Sequence, residues 1–389
     1  MSNNSRGNSG PVADAPRLFG TDGVRGEAGR YPLDHSTVRR LGAALVRALP
    51  ATPHGSAPRF LIGRDTRESG VWIETELAHG ASGEGAQVTS GGVVPTPAVA
   101  YLTRAEGYDA GVVISASHNP YEDNGIKVFS GRGEKFSERV EREVEAIVAD
   151  PSWSPKTGVS ATVPAEDLVG AYLDHLRAVF PEAPSLRGFP LAIDCANGAT
   201  SVVAPALFES LGFDTVVMAN HPDGRNINRE CGSTHPELLA RTVREQGCRA
   251  GVAFDGDGDR AIFVDERGNI VNGDAVLLMC ADQLQREGRL HGQAVAATVM
   301  SNIGLELALR DRGLSLVRAA VGDKYVMEEM QARGLSLGGE QSGHIIFSEY
   351  LFTGDGLCTA LNVLRAIALT GRSLADLSSD LTTYPQVLL

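Results

Sequence analysis

The sequence predicts an α/β protein that contains three tandem units of one design around a central cleft. Each unit begins with an apolar strand, continues through a small-residue turn and a helix to a second strand, and ends with a third strand that runs into a polar loop. The opening strands are residues 59–62, 191–193 and 294–299, the second strands are residues 86–89, 215–218 and 315–317, and the third strands are residues 111–114, 250–254 and 335–338. Because the three polar loops occupy the same place in each unit, we expect them to face one cleft.

Two amphipathic helices and a polar connection mark the passage from the first unit to the second. The first helix begins after Ser137, a residue suited to cap it, and the second covers residues 166–180. Prolines and polar residues at 150–158 indicate the connection between them. The apolar stripes, which we expect to be core and not part of a cofactor site, are Val140, Val144, Ile147 and Val148 in the first helix and Leu168, Tyr172, Leu176 and Val179 in the second.

Length and charge limit the classes of protein that are possible. A chain of 389 residues with 42% hydrophobic residues predicts two or three domains. The net charge of -13 argues against nucleic acid and against an anionic membrane as partners, so any phosphate would have to be bound by local cations and backbone amides. No apolar run approaches the roughly 20 residues of a membrane span.

The N-terminal residues and the cysteines indicate a cytoplasmic protein. Residues 1–16 are rich in Ser, Asn, Gly and Pro, and they predict a disordered tail without the apolar core of a signal peptide. The five cysteines are scattered and form no C-x-x-C pair. We therefore expect reduced thiols in a reducing compartment.

A carboxylate-rich loop lies between two apolar runs. Residues 255–260 read DGDGDR, after the apolar run 250–254 and before the apolar run 261–264. Carboxylates this close repel one another unless a cation lies among them, and oxygen ligands suit Mg²⁺ or Ca²⁺. An EF-hand calcium loop is the nearest alternative, but its sixth position needs glycine and is Arg260 here, and its flanks should be helices. The sequence therefore predicts a divalent-metal loop between strands.

A second polar loop follows the third strand of the first unit. Residues 115–125 read SASHNPYEDNG, and loops after buried strands commonly carry the chemistry of α/β proteins. The neighbours Ser117 and His118 do not by themselves indicate a nucleophile and its base, because no G-x-S-x-G signature accompanies them.

Four segments, in this order along the chain, resemble the signature segments of the α-D-phosphohexomutases. They are residues 18–26 (LFGTDGVRG), 115–120 (SASHNP), 255–260 (DGDGDR) and 339–344 (GEQSGH). Within the family, residues 321–326 (VGDKYV) and 338–344 (GGEQSGH) are most similar to bacterial members that interconvert glucosamine 6-phosphate and glucosamine 1-phosphate. The resemblance implies the family fold and an intramolecular transfer of a phosphoryl group on a hexosamine phosphate.

The resemblance also implies how the reactive centre is built. Ser117 would carry the phosphoryl group, and a sugar 1,6-bisphosphate would be both intermediate and activator. One Mg²⁺ per chain would be bound by Asp255, Asp257 and Asp259, with an oxygen of phosphorylated Ser117 completing the ligand set.

The remaining site residues are assigned in the same way. Lys127 and Arg260 would stabilise charge on the moving phosphoryl group or assist proton transfer, and Arg25, on a glycine-rich loop, is a further candidate to contact the phosphoserine. His118 would order its loop or contact phosphate. The sugar-binding residues are implied to be Glu340, Ser342 and His344, and hydroxyls common to both ends of the ring would allow the bisphosphate to bind in two orientations.

The expected organisation follows from the repeat and the resemblance. It comprises a tail at residues 1–16, then domains at residues 17–158, 159–265 and 266–375, and the start of a truncated fourth domain at residues 376–389. The family's phosphate-binding loop of Arg, Ser, Gly and Thr type does not occur in this sequence. We expect impaired mutase turnover for that reason. The oligomeric state, for which a homodimer is one arrangement, stays open.

Three alternatives to a glucosamine phosphate mutase remain at this point. A phosphomannomutase or phosphoglucomutase would share every motif named above. A metal-dependent phosphatase would use an aspartate nucleophile and would not need Ser117. A non-catalytic sugar-phosphate-binding fragment would bind substrate without transferring phosphate.

Overall fold

The computed structural model describes residues 17–50, 56–156 and 164–387. The expected tail at residues 1–16, the expected boundary between residues 158 and 159, and residues 388–389 lie outside this part of the chain. Within the described ranges, strands and helices alternate as the sequence predicts. None of the helices in these ranges is both long and apolar enough to cross a membrane.

The first unit contains a six-stranded mixed sheet in the order β1-β2-β6-β5-β3-β4. Along β3, Leu61 packs into one core and Phe60 and Ile62 pack into another, so both faces of the sheet are covered. The elements are β1 (Phe19–Gly20), β2 (Gly23–Glu27), α1 (His35–Ala48), β3 (Arg59–Arg64), α2 (Gly70–Gly83), β4 (Gln87–Val93), α3 (Thr96–Ala105), β5 (Ala110–Ile114), β6 (Asp123–Ser130) and α4 (Glu138–Ala149).

The second unit contains a five-stranded sheet in the order β11-β10-β9-β7-β8. Its elements are α5 (Val169–Val179), β7 (Pro190–Asp194), α6 (Thr200–Ser210), β8 (Asp214–Met218), α7 (Glu237–Gln246), β9 (Ala250–Phe254), β10 (Ala261–Asp265) and β11 (Ile270–Val271).

The third unit contains a four-stranded sheet in the order β13-β12-β14-β15. Its elements are α8 (Gly273–Arg286), β12 (Ala294–Thr298), α9 (Ile303–Asp311), β13 (Ser315–Ala319), α10 (Asp323–Arg333), β14 (Leu337–Gly339), β15 (Ile345–Phe347), α11 (Gly356–Thr370) and α12 (Leu374–Ser378).

The three sheets share one central pattern, which confirms the predicted repeat. In each unit the opening strand pairs in parallel with the second and the third strand: β3 with β4 and β5, β7 with β8 and β9, and β12 with β13 and β14. A fourth strand then returns antiparallel to the third: β6 on β5, β10 on β9 and β15 on β14. The polar loop of each unit is therefore the connection from the third strand to its antiparallel neighbour.

One of the two predicted helices starts where expected and the other starts later. α4 begins directly after Ser137, which is its N-cap residue, although the Ser137 side chain makes no capping hydrogen bond. The predicted helix 166–180 begins only at Val169, because Glu166 N–H donates to Ser90 O and keeps this stretch beside β4. A tertiary contact thus sets the first turn of the second helix.

The third strand of the third unit also starts later than predicted. Leu335 N–H donates to Met330 O, which completes the end of α10, and Ser336 Oγ donates to Arg289 O. Both residues thus belong to the connection, and β14 starts at Leu337.

One apolar core runs through all three units and fixes the relation between their loops. It contains Val99 of α3, Tyr172 of α5, Phe254 of β9 and Leu361 of α11, all less than 1% exposed. Protein cores are packed densely and resist deformation. The three polar loops are consequently held in a fixed arrangement by a shared core.

Candidate active site

Three loops meet where the third strand of each unit ends. We call them the serine loop (residues 115–122), the aspartate loop (residues 255–260) and the glutamate loop (residues 340–344). Ser117 Oγ donates a hydrogen bond of 2.5 Å to Asp255 Oδ2, which joins the first two loops. Ala261 N–H donates to Gly343 O over 3.1 Å, which joins the second and third.

Ser117 has a backbone conformation that is uncommon for a residue other than glycine. Its φ is 54°, in the left-handed region. Its N–H donates to Ser115 Oγ over 2.9 Å, and its Oγ lies 3.3 Å from His118 Nδ1. Backbone strain of this kind persists only where surrounding contacts maintain it, and it is frequent at functional sites. Here it directs the serine hydroxyl towards the aspartate loop.

The aspartates form a buried carboxylate cluster. Asp255, Asp257 and Asp259 are 0%, 1% and 3% exposed, and one oxygen from each lies within 4.8 Å of the others. The Oδ1 atoms of Asp257 and Asp259 are buried without a hydrogen-bond partner. Buried anionic oxygens are unfavourable unless they are paired or coordinate a cation. The residues present therefore fit a hard divalent cation, and the flanking strands β9 and β10 argue against an EF-hand.

The carboxyl groups of this cluster differ in pKa. Burial, together with Asp259 and Asp257, raises the pKa of Asp255 well above its usual value. Burial by itself would also raise the pKa of Asp259, but Lys127 and His344 hold it well below its usual value. A divalent cation would favour the ionised form of Asp255 as well, because an opposite charge nearby stabilises a carboxylate.

Lys127, on β6, inserts its ammonium group among carboxylates from two units. Its Nζ lies 2.8 Å from Asp257 Oδ2, 3.1 Å from Asp259 Oδ2 and 3.0 Å from Asp22 Oδ2. Burial by itself would lower the pKa of Lys127, but these carboxylates raise it well above its usual value. Lys127 is thus protonated in this arrangement, a state that suits charge stabilisation and not proton acceptance.

Two arginines flank the serine loop. Arg25, on β2, donates from Nη1 to Ala116 O over 2.6 Å and pairs through Nη2 with Asp22. Arg260 keeps 22% of its side chain exposed, with Nε 4.0 Å from Asp259 Oδ1. Both arginines line the same cleft.

A cleft of about 710 Å³ opens between the first and third units. Its lining includes Arg25, His118 and Arg260, together with Lys324 and Tyr325 of α10. Burial, then Arg260 and Arg25, lowers the pKa of the half-buried His118. The lining carries five cations and also five carboxylates, namely Asp22, Glu138, Glu141, Glu145 and Glu328, so the cleft as a whole is not cationic. The cations that it presents next to His118 are Arg25 and Arg260.

The glutamate loop brings Glu340 and Ser342 together. Glu340 Oε1 accepts a hydrogen bond from Gly322 N–H at 3.2 Å, and Oε2 accepts one from Ser342 Oγ at 3.1 Å. Ser342 is exposed, and Glu340 is half-buried. A carboxylate and a hydroxyl so placed can bind neighbouring hydroxyls of a ligand.

The structure does not bring His344 to this open face. His344 is 2% exposed, and its Nε2 accepts a hydrogen bond from Gly354 N–H at 3.0 Å. Its ring nitrogens lie 3.7 Å from Asp259 and 3.4 Å from Asp323. Burial by itself would lower the pKa of His344, but these two aspartates raise it. In this arrangement His344 supports the aspartate loop from beneath, and its expected contact with the sugar stays a prediction.

Sequence reasoning missed an ionic network around Asp22. This carboxylate contacts Arg25, Lys127 and Lys135, and Lys135 also pairs with Asp323 of the third unit. Burial by itself would raise the pKa of Asp22, but Lys127, Lys135 and Arg25 hold it well below its usual value. Asp22 and Asp323 lie in segments quoted above for their resemblance, whereas no local pattern indicated Lys135.

Family models match most of the chain. They describe the alpha/beta/alpha domains of phosphoglucomutase/phosphomannomutase: domain I matches residues 16–154, domain II residues 170–268 and domain III residues 272–384.

Individual relatives agree with the family models. A phosphoglucosamine mutase of Solibacter usitatus is 49% identical over 375 residues, which cover 96% of this chain and 83% of the relative. A phosphoglucosamine mutase of Deinococcus deserti is 49% identical over 380 residues, which cover 96% of this chain and 82% of the relative.

A solved structure agrees as well. The X-ray structure of a phosphoglucomutase/phosphomannomutase family protein from Burkholderia thailandensis superimposes with a TM-score of 0.79 at 27% identity, and the match covers 93% of this chain and 79% of that one. The chain therefore belongs to the phosphoglucomutase/phosphomannomutase family of phosphohexomutases.

Proposed function

We propose that this protein interconverts glucosamine 6-phosphate and glucosamine 1-phosphate, with Ser117 as the phosphoryl carrier. The observation that carries the proposal is the 2.5 Å contact of Ser117 Oγ with Asp255, at a cluster of buried carboxylates and next to a cleft whose lining includes Arg25 and Arg260. The choice of sugar rests on relatives named phosphoglucosamine mutase that are 49% identical to the chain.

The chemistry requires two transfers in opposite directions. In the first, the bond from Ser117 Oγ to phosphorus breaks as a bond forms from the free sugar hydroxyl to phosphorus; the sugar hydroxyl loses its proton, and the released Ser117 Oγ takes one up. The products are the sugar 1,6-bisphosphate and the free serine. After the bisphosphate turns around, the Ser117 hydroxyl loses its proton as its Oγ attacks the other phosphoryl group, and the released sugar oxygen takes a proton up.

Residues of this chain supply the charge balance for both transfers. Arg25 contacts the serine loop, and Lys127 and Arg260 lie against the aspartate loop that Ser117 touches, so the three cations would offset the negative charge of a phosphoryl group on Ser117. Asp255, Asp257 and Asp259 would hold Mg²⁺, which when bound neutralises phosphoryl oxygens. The 1,6-bisphosphate would serve as activator because it can phosphorylate a resting Ser117.

Sugar binding falls to Glu340 and Ser342 in this proposal. Their paired oxygens face the open side of the glutamate loop and can bind adjacent hydroxyls of a pyranose in either orientation. A sugar-phosphate substrate, together with five cysteines that are all free thiols, is consistent with a cytoplasmic enzyme.

The test supplies each of three substrates, the 6-phosphates of glucosamine, glucose and mannose, with Mg²⁺ and a trace of the matching 1,6-bisphosphate. Formation of the 1-phosphate is followed by phosphorus NMR. We expect the fastest formation from glucosamine 6-phosphate, none with Ser117→Ala, and unchanged formation with Ser185→Ala, which alters an exposed serine of the second unit.

Faster turnover of mannose 6-phosphate or glucose 6-phosphate would show that glucosamine is not the preferred sugar. Release of inorganic phosphate with retained activity in Ser117→Ala would favour an aspartate-dependent phosphatase. Substrate binding without any transfer would favour a binding fragment.

A further inference from the structure

Two buried side chains from different units donate hydrogen bonds to the same two carbonyl groups of the serine loop. Arg67 Nη2 lies 3.3 Å from Ser117 O and 2.6 Å from Asn119 O. Asn228 Nδ2, from the second unit, lies 2.9 Å from Ser117 O and 3.1 Å from Asn119 O. Arg67 is 1% exposed and Asn228 is 8% exposed, so these bonds are shielded from water.

Contacts within the first unit hold the Arg67 side chain in place. It forms an ion pair with Asp65, and both side chains are 0% exposed. The same Asp65 accepts a hydrogen bond from Ser115 Oγ at 2.5 Å, and Ser115 Oγ in turn accepts the N–H of Ser117. The buried Nε of Arg67 has no hydrogen-bond partner, but both of its terminal nitrogens are bonded. A buried guanidinium held at both terminal nitrogens has little freedom to move, so Arg67 supports the loop.

Asn228 is fixed in a different way. Its φ is 57°, in the left-handed region that asparagine tolerates better than most residues, and its N–H donates to Ala196 O over 2.9 Å. The left-handed turn directs the amide out of the second unit and against the serine loop. Asn228 is thus the side chain of the second unit that holds the backbone carbonyl of Ser117, whereas Asp255 of the same unit accepts from its hydroxyl.

The same amide also touches the aspartate loop. A β-carbon built on Gly256 would lie 2.8 Å from Asn228 Nδ2 and 2.5 Å from Ser117 O. The Asn228 side chain and the backbones of Gly256 and Ser117 are therefore closely packed. Asn228 therefore lies at the junction of the serine and aspartate loops.

We propose that Asn228 is a positioning residue for phosphoryl transfer, because it holds the Ser117 carbonyl from the second unit as Arg67 holds it from the first. The inference rests on the proposed role of Ser117 as phosphoryl carrier. Asn228 does not touch the reacting oxygen, and it acts through the Ser117 and Asn119 carbonyls. Its loss should slow transfer to Ser117 without weakening sugar binding at the glutamate loop.

The test compares variants that separate the amide from the backbone. Asn228→Gly keeps the left-handed conformation available and removes both hydrogen bonds. Asn228→Asp keeps the shape and places a carboxylate oxygen where the amide nitrogen faced two carbonyls. The matched control is Asn226→Ala, in the same loop, whose amide bonds to His221 O and not to the serine loop.

The full chain is mixed with labelled glucosamine 1,6-bisphosphate and Mg²⁺, and the single-turnover rate of label transfer is measured over a range of sugar concentrations. We expect the maximal rate to fall about 10²-fold in Asn228→Gly and further in Asn228→Asp, because a displacement near 1 Å can cost that much. The half-saturating sugar concentration should stay as in the wild type, and Asn226→Ala should transfer at the wild-type rate.

A wild-type maximal rate in Asn228→Gly overturns the inference and leaves the proposed function intact. If Asn228→Gly does not fold, a wild-type rate in Asn228→Asp overturns it instead. A loss confined to the half-saturating concentration also overturns it, because that result assigns Asn228 to binding. No label on the wild-type chain overturns the proposed function itself.

Discussion

Gly256 is the point where the aspartate loop touches the serine loop. A β-carbon at this position would lie 2.5 Å from Ser117 O, 2.8 Å from Asn228 Nδ2 and 2.8 Å from Ile227 Cδ1. Ordinary contact for such an atom begins at 3.4 Å, so Gly256→Ala has to move the two loops apart by roughly 1 Å. Two of the three obstructing atoms belong to groups that are fixed by hydrogen bonds, which leaves little room for local relaxation.

We predict two consequences of Gly256→Ala. Transfer of a phosphoryl group to Ser117 should slow by about 10²-fold, because a misplacement near 1 Å has an effect of that size on a reaction that depends on alignment. The free energy of unfolding should fall by about 1–3 kcal/mol, which is typical of an overpacked interior. Single-turnover labelling measures the first effect, and urea unfolding measures the second.

The matched control is Gly170→Ala in α5. A β-carbon there meets no atom within 4 Å, and its helical position gains up to about 1 kcal/mol from the alanine. We expect wild-type labelling in this variant. A wild-type labelling rate in Gly256→Ala would refute the reasoning, since it would mean that the contact between the two loops does not set the reactive geometry.

The remaining predictions concern the cation, the ionic network and pH. Mg²⁺ at a hundred times its dissociation constant should stabilise the wild type by about 2.7 kcal/mol in thermal unfolding, and much less in Asp257→Asn; an equal effect on both would argue against the assigned ligands. Lys135→Met removes the cation shared by Asp22 and Asp323 and should lower the free energy of unfolding in urea by about 3 kcal/mol. A decrease below about 0.5 kcal/mol would contradict the stabilising role of this buried network. Burial and Arg104 lower the pKa of His175 to about 4, so the unfolded chain binds this proton more readily and stability falls as pH drops from about 6.5 towards 4. After allowance for partial exposure, we expect the free energy of unfolding to fall by about 1–2 kcal/mol over this pH range in the wild type and not in His175→Phe. The same pH dependence of stability in both proteins would contradict this prediction.

The fold and the meeting of the loops were predictable because they depend on local pattern. Strands such as 250–254 are continuous apolar runs that end abruptly in polar loops, and the structure has this strand at the predicted residues. The repeat of strand order then places the three loops at equivalent sheet edges. The aspartate cluster was predictable from sequence alone, because its three carboxylates are close neighbours along the chain.

Other parts of the site depend on packing between units and left no local signal. Asn228 reaches Ser117 across 111 residues, and Lys135 reaches Asp323 across 188 residues. His344 shows the opposite difficulty. It lies two residues after Ser342 in one short loop, yet its side chain turns into the interior and supports Asp259. Neighbourhood in sequence does not decide which side of a loop a residue faces.

The most direct test of the phosphoserine mechanism maps the label after transfer from labelled glucosamine 1,6-bisphosphate to the full chain in the presence of Mg²⁺. The chain is digested, and the labelled peptide is identified by mass spectrometry after acid treatment, which a phosphoserine survives and an acyl phosphate does not. We predict acid-stable label on the peptide that contains Ser117, and none in Ser117→Ala. Label that the acid treatment removes, as expected of an acyl phosphate, or label that persists in Ser117→Ala, would contradict the proposed mechanism.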